Sequence, residues 1–197
     1  LPHYILIFVV AGYDRFPKER VAYQTRDIME IAQRYGLNPT KTLPGVNSGK
    51  LLQALVQPCP EPFWKLRYKG HSADIFFLTT LDRSPEFISV MHEEACETRF
   101  PIDDIGMYIQ PIQQGRSCHM EFNLTFNPEN NFEVARVKKT FQQASKALML
   151  KGAFFSRPYG IWSELIHNQC AENVIALRRV KQIFDPNNVM NPGKLFF

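Results

Sequence analysis

The chain has 197 residues, 45% hydrophobic and 13% aromatic, enough for one sizeable core or two small ones and too apolar for disorder. Its 23 basic and 19 acidic residues leave a formal net charge of +4 with no basic run, so no nucleic-acid surface is called for. No apolar run approaches the roughly 20 residues of a membrane span, and residues 1–10 lack the basic leader and cleavage pattern of a signal peptide.

Residues 4–12 form a continuous apolar run suited to a buried strand, and Pro17 then opens a helical pattern with Val21, Ile28, Ile31, Ala32 and Tyr35 on one face, stopped by Gly36. From residue 38 to 70 the chain is rich in Pro and Gly around a short helix candidate at 51–56, which reads as a long connection. A strand follows at 74–80. Ser84-Pro85 caps and starts a helix to about Thr98, and a further strand runs from 105 to 112. Gln113-Gln114-Gly115 is a turn, residues 117–126 alternate, and a long helix from about 129 to 150 carries Val134, Val137, Phe141, Ala144 and Leu148. The order βα, βα, ββ, α predicts an α+β fold: a ferredoxin-like antiparallel sheet with helices on one face. Residues 1–151 would form this domain. Residues 152–197 would add a short helix near 163–167, a helix at about 171–184 and a docking tail.

The four cysteines, Cys59, Cys96, Cys118 and Cys170, contain no C-x-x-C pair, so neither a zinc site nor a disulfide framework is signalled and reduced thiols in a cytoplasm are expected. No metal site is predicted. Gly45-Val-Asn-Ser-Gly-Lys50 superficially suggests a phosphate loop, but only three residues separate its glycines and Leu51 stands where Ser or Thr is needed. His71, His92 and His167 are isolated and read as structural or solvated, while Trp64 and Trp162 read as core aromatics that could also line a cavity.

Two constellations can carry chemistry. Alternation over residues 117–126 puts His119, Glu121 and Asn123 on one face of the sheet and Cys118, Met120, Phe122 and Leu124 on the other. The short turn lets Tyr108 and Gln110 join the polar set, and an imidazole, a carboxylate, an amide and a phenol together suit proton transfer and substrate orientation. In Ser156-Arg157-Pro158-Tyr159-Gly160, a guanidinium fixed beside Pro and an aromatic ring suits bidentate binding of a phenolate or carboxylate. The competing reading of Arg157 is a plain ion pair with a carboxylate across the domain junction.

The tail Phe184-Asp-Pro-Asn-Asn-Val-Met-Asn-Pro-Gly-Lys-Leu-Phe-Phe197 combines two Asx-Pro turns with apolar anchors and Gly193. It resembles the C-terminal end of FAD-linked oxidases of the vanillyl-alcohol oxidase and p-cresol methylhydroxylase type, related to the glycolate and D-lactate dehydrogenase flavoproteins. The resemblance implies a cap domain whose open sheet face roofs a substrate cavity, with FAD bound mainly by a further domain expected N-terminal to Leu1. The start at Leu, in residues that read as mid-sheet, fits a piece of a longer protein.

The implied activity is oxidation of a small alcohol, aromatic or a 2-hydroxy acid, by hydride transfer to flavin, the isolated fragment being inactive. Arg157, Tyr159, His119, Glu121 and Tyr108 are then the catalytic candidates. Gln110, Asn123 and Arg157 would bind substrate, and His119, Asn191 and Lys194 would contact the cofactor or its domain. Implied partners are the FAD-binding domain, an electron-accepting protein such as a cytochrome, and a second copy in a homo-oligomer. Two departures from the family pattern leave the substrate open. Ser156 stands where phenol-oxidising relatives carry Tyr before Arg, and Ser117-Cys-His-Met-Glu-Phe-Asn123 replaces the H-x-G-D-G-N phrase of the hydroxy-acid dehydrogenases. The alternative class is a stand-alone ferredoxin-like module that binds a small molecule or a second copy without catalysis.

Overall fold

A computed structural model describes residues 4–57, 64–169 and 171–193, apart from the side chains of Leu55, Trp64 and Arg67. The chain divides into two units, Leu1–Glu61 and Pro62–Phe197.

In the first unit, α1 (Pro17–Arg34) begins with proline, whose missing N–H is no loss in a first turn. It ends where Gly36 (φ 67°) donates to Gln33 O and Leu37 donates to Ala32 O at 2.9 Å, the two bonds that close a helix through a left-handed residue. The strands β1 (Thr42–Leu43) and β2 (Val46–Asn47) pair antiparallel around Pro44-Gly45. Pro sets the first turn angle, and Gly45 at φ 80° supplies the positive one. Asn47 Oδ1 then accepts from Gly49 N at 2.8 Å and caps α2 (Ser48–Val56).

The expected strand at 4–12 does not form: residues 4–13 carry no regular structure and the apolar side chains at 4–9 are exposed. A strand exists only through hydrogen bonds to a neighbour, and the one ladder described in this unit is β1–β2. Apolarity supplied the pattern without the partner.

The second unit matches the predicted pattern closely. Its elements are β3 (His71–Thr79), α3 (Ser84–Thr98), β4 (Ile105–Ile112), β5 (Ser117–Phe126), α4 (Asn131–Leu150), α5 (Ile161–His167) and α6 (Ala171–Phe184). The sheet is antiparallel in the order β3-β5-β4. Beyond β3, Phe154 makes a single antiparallel bridge to Leu78, with N–H···O distances of 2.8 and 3.0 Å. The succession βαββα plus this bridge, in the order 154-β3-β5-β4, is the ferredoxin-like arrangement with its last strand reduced to one residue pair.

Ser84 is not the cap that the sequence suggests. Arg83 precedes the helix, Ser84 is its first residue, and its side chain makes no capping hydrogen bond. For α4 the cap is Asn130, whose Oδ1 accepts from Phe132 N at 3.0 Å while its Nδ2 donates to Glu133 Oε1. Gly152 (φ 92°) follows α4 and lets Ala153 N return to Leu148 O.

The helices cover one face of the sheet. Ile75, Phe77, Met120, Phe122 and Leu124 meet Phe87, Met91 and Ala95 of α3 and Val137, Ala144 and Leu148 of α4 in one continuous core. A buried hydrogen bond from Thr140 Oγ1 to Thr98 Oγ1 at 2.7 Å ties the two helices. Trp162 of α5 lies against the rings of Phe155 and Phe141 and donates Nε1 to Ser145 Oγ at 2.8 Å, so its polar atom is satisfied inside the core.

Phe77 is fully buried between Phe87, Phe122 and Phe155. Phe77→Ala is therefore expected to destabilise the second unit by about 3–5 kcal/mol. Chemical denaturation checks this, and a loss below about 1 kcal/mol would contradict the packing described.

Candidate functional site on the open sheet face

The register places three rows of side chains on the face turned away from the helices. Asp74, Asn123 and Gly106 form one row, Phe76, Glu121 and Tyr108 the next, and Leu78, His119 and Gln110 the third. Tyr108, Gln110, His119, Glu121 and Asn123 thus share one surface, as the alternation predicts. Gly106 is needed there: a Cβ would lie 3.2 Å from Asn123 Cβ, so the glycine leaves room for the amide to be only 5% exposed.

At one end sits a charge cluster. Asp74 and Glu121 come from neighbouring strands, and Asn123 Nδ2 donates to Asp74 Oδ1 at 2.7 Å and to Glu121 Oε1 at 2.5 Å. Ser72 Oγ also donates to Asp74 Oδ1, at 2.6 Å. Two carboxylates this close repel, and Lys65 supplies the countercharge. Its ammonium donates to Asp74 Oδ2 at 2.9 Å and to Glu121 Oε1, and its side chain is only 9% exposed. Burial alone would lower the Lys65 pKa, but the hydrogen bonds and charges of Glu121 and Asp74 outweigh it and leave it raised.

The other end is aromatic. The Phe76 ring is 5.1 Å from Trp162, and 6.1 Å from both Tyr159 and His119, while Tyr108 stands edge-on to His119 at 6.1 Å. The Arg157 guanidinium lies over Phe76, 5.2 Å from its centroid. Arg157 makes no ion pair among the described residues, so the simple salt-bridge reading of this residue finds no partner there. Partial burial raises the Tyr159 pKa, the charges of Asp74 and Glu121 raise it further, and only Arg157 works against them. Its phenol therefore stays protonated near neutrality and serves as a hydrogen-bond donor rather than a ready base.

Glu121 is equally unsuited to free proton acceptance. Its Oε1 receives both Lys65 and Asn123, and Oε2 faces His119 Nε2 at 3.5 Å. His119 is the group on this face whose ring has a second nitrogen to offer.

Sequence reasoning missed Lys65, Asp74 and Phe76. The latter two were detectable, because Asp74 interrupts an apolar strand and the period of two places Phe76 beside it. Lys65 carries no such signal; only the folded turn Trp64–Arg67 brings it over the sheet.

Asn191 lies elsewhere, exposed at φ 50° in the tail, with no hydrogen bond to the sheet face among the described residues. Lys194, Cys59 and Cys170 lie outside the described residues. The tail closes on itself through Asp185, whose carboxylate accepts Val189 N at 2.8 Å and Met190 N at 2.9 Å and pairs with Lys181. Lys181 in turn reaches Met190 O at 2.5 Å. The hydrogen bond from Lys181 is the main reason that the Asp185 pKa is lowered. Around this polar knot Ile183, Phe184, Val189 and Met190 remain exposed.

Residues 163–195 match the family model of FAD linked oxidases, C-terminal domain, a stretch that holds most of α5, all of α6 and most of the tail. The match supports an FAD-linked oxidase C-terminal domain, and with it an oxidoreductase family that uses FAD. No curated protein and no solved structure matches the chain. Among the described residues no helix is long and apolar enough to cross a membrane, and no group of three His, Cys, Asp or Glu is placed to hold a metal ion.

The raised Lys65 pKa gives a stability test. A cation held by two carboxylates stabilises the fold fully below the ordinary lysine pKa of about 10.4, and that contribution is lost as pH rises through the higher folded value. Lys65→Met should therefore be destabilised at pH 7 by roughly 3 kcal/mol, from the carboxylates left unpaired. The gap to wild type should shrink above about pH 10.5. Thermal melts across pH check this, and a gap that stays constant into strong alkali would contradict the assignment.

Proposed function

We propose that this chain is the substrate-binding cap of an FAD-dependent oxidoreductase that oxidises a small alcohol. The observation that carries the reading is the convergence on one face of a guanidinium with no ion pair among the described residues, an aromatic floor and an imidazole–carboxylate pair, in a chain whose C-terminal stretch matches an FAD-linked oxidase family model.

The residues present fit the substrate side of such a site rather than its phosphate side. Arg157 over Phe76 suits the anionic end of an aromatic or carboxylate-bearing substrate, because a guanidinium that pairs with no carboxylate among the described residues can take one from a ligand. Phe76 and Tyr108 give the substrate an apolar surface, and Gln110 and the protonated Tyr159 offer donors that fix its orientation. His119 accepts the hydroxyl proton. FAD, held mainly by a further domain, supplies the hydride acceptor when bound.

The segment 152–197 would carry the surface that docks on that domain. The apolar residues around the Asp185 knot, and Ile175, Leu177 and Val180 along α6, are exposed and suited to such an interface. Asn191 and Lys194 would lie at its cofactor end.

In the complete enzyme, Arg157→Ala is expected to depress turnover by about two orders of magnitude or more while the flavin content stays unchanged, since one charge-assisted contact to the reacting substrate is removed. Steady-state kinetics with a flavin absorbance count check it. Wild-type turnover in the variant would remove Arg157 from the site.

A further inference from the structure

We propose that Glu121 is a positioning residue that fixes His119 in the Nε2–H tautomer, so that Nδ1 is the atom that accepts the substrate's hydroxyl proton. The inference rests on the oxidase reading for the substrate hydroxyl, but its geometry stands on the chain alone.

Asp74 and Glu121 share one ammonium, and Lys65 with Asn123 saturates the near side of both carboxylates. Held this way, Glu121 Oε1 already accepts from a cationic ammonium and an amide, and a carboxylate engaged by such donors offers acceptor sites only. Its remaining oxygen, Oε2, faces His119 Nε2 at 3.5 Å. A lone pair turned toward a carboxylate would be repelled, so the proton belongs on Nε2 and the lone pair on Nδ1.

The other neighbours of the ring do not oppose this choice. On β3, Phe76 and Leu78 are apolar, with Asp74 two residues further along and already bound to Lys65. On β4, Tyr108 presents its ring edge-on at 6.1 Å and Gln110 stands directly across the ladder, a neutral amide that can turn either end toward the imidazole. Beyond β3, Tyr159 and Arg157 gather over Phe76 rather than over His119. Glu121 is the only carboxylate that meets the ring at hydrogen-bonding range among the described residues.

The chemical step balances as a plain proton transfer. The substrate O–H bond breaks, its electron pair stays on oxygen, and the new N–H bond forms at Nδ1. The imidazolium then carries a proton on each nitrogen and faces the Glu121 carboxylate, which offsets its charge. Lys65 and Asn123 keep Glu121 itself from taking the proton, so the carboxylate works through the imidazole.

The test is the tautomer itself, read on the full chain by long-range proton–nitrogen NMR of the His119 ring above its titration. Wild type should show a protonated-type shift at Nε2 and an unprotonated-type shift at Nδ1. Glu121→Gln, with amide resonances of Met120 and Phe122 in place to show that the sheet is intact, should give a mixture of tautomers, whereas Tyr108→Phe should keep the wild-type pattern. A proton on Nδ1 in wild type, or an unchanged tautomer in Glu121→Gln, would overturn the proposal. Should Glu121→Gln not fold, the wild-type spectrum still decides. The readout needs no flavin, so failure of the oxidase reading and failure of this assignment are told apart.

Discussion

The constraint on which the second unit depends is that β5 is paired on both sides. A strand with a neighbour at each edge cannot slide by one residue without turning Met120, Phe122 and Leu124 into water and His119, Glu121 and Asn123 into the core. That exchange would strip the core of its central layer, so the register is locked by packing. The position of the site follows without further design. Whatever lies on the far side of β5 from α3 and α4 is presented together, and β3 and β4 add their own alternate residues in matching rows.

A second constraint sits on that face. The register brings the carboxylates of Asp74 and Glu121 together across β3 and β5, an arrangement that would be repulsive alone. Lys65 relieves it, and its ammonium brings the turn Trp64–Arg67 over the sheet. The charged half of the face is thereby occupied by its own protein. The other half carries Phe76, His119, Tyr108 and Arg157, and Trp162 connects it to the core through the Phe76 ring.

Much of the second unit was legible because each element carries two independent signals. In α3, Pro85 in the first turn and an apolar period of 3.6 agree; in β5, strict alternation is bounded by the turn at Gly115 and by Pro128. The errors arose where one signal stood alone. Residues 4–12 have strand composition, yet composition cannot say whether a neighbouring strand exists. The β1–β2 pair was hidden because strands of two residues have no period, although Pro44-Gly45 marks its turn. Phe154 was unreadable for the same reason: a single bridge leaves no pattern. In the site, alternation revealed a face and could not reveal Lys65, which arrives from a turn. It also could not assign roles, since whether Glu121 is a base or a support depends on which of its oxygens is occupied.

The central claim is that this face works against a flavin. It is tested most directly by the visible absorption spectrum of the protein expressed from the longest reading frame that contains this chain, recorded before and after addition of small aromatic alcohols and 2-hydroxy acids. The account predicts a flavin band that bleaches with an alcohol substrate and bleaches far more slowly in Arg157→Ala. A colourless protein, or a flavin band that no alcohol reduces, would contradict it.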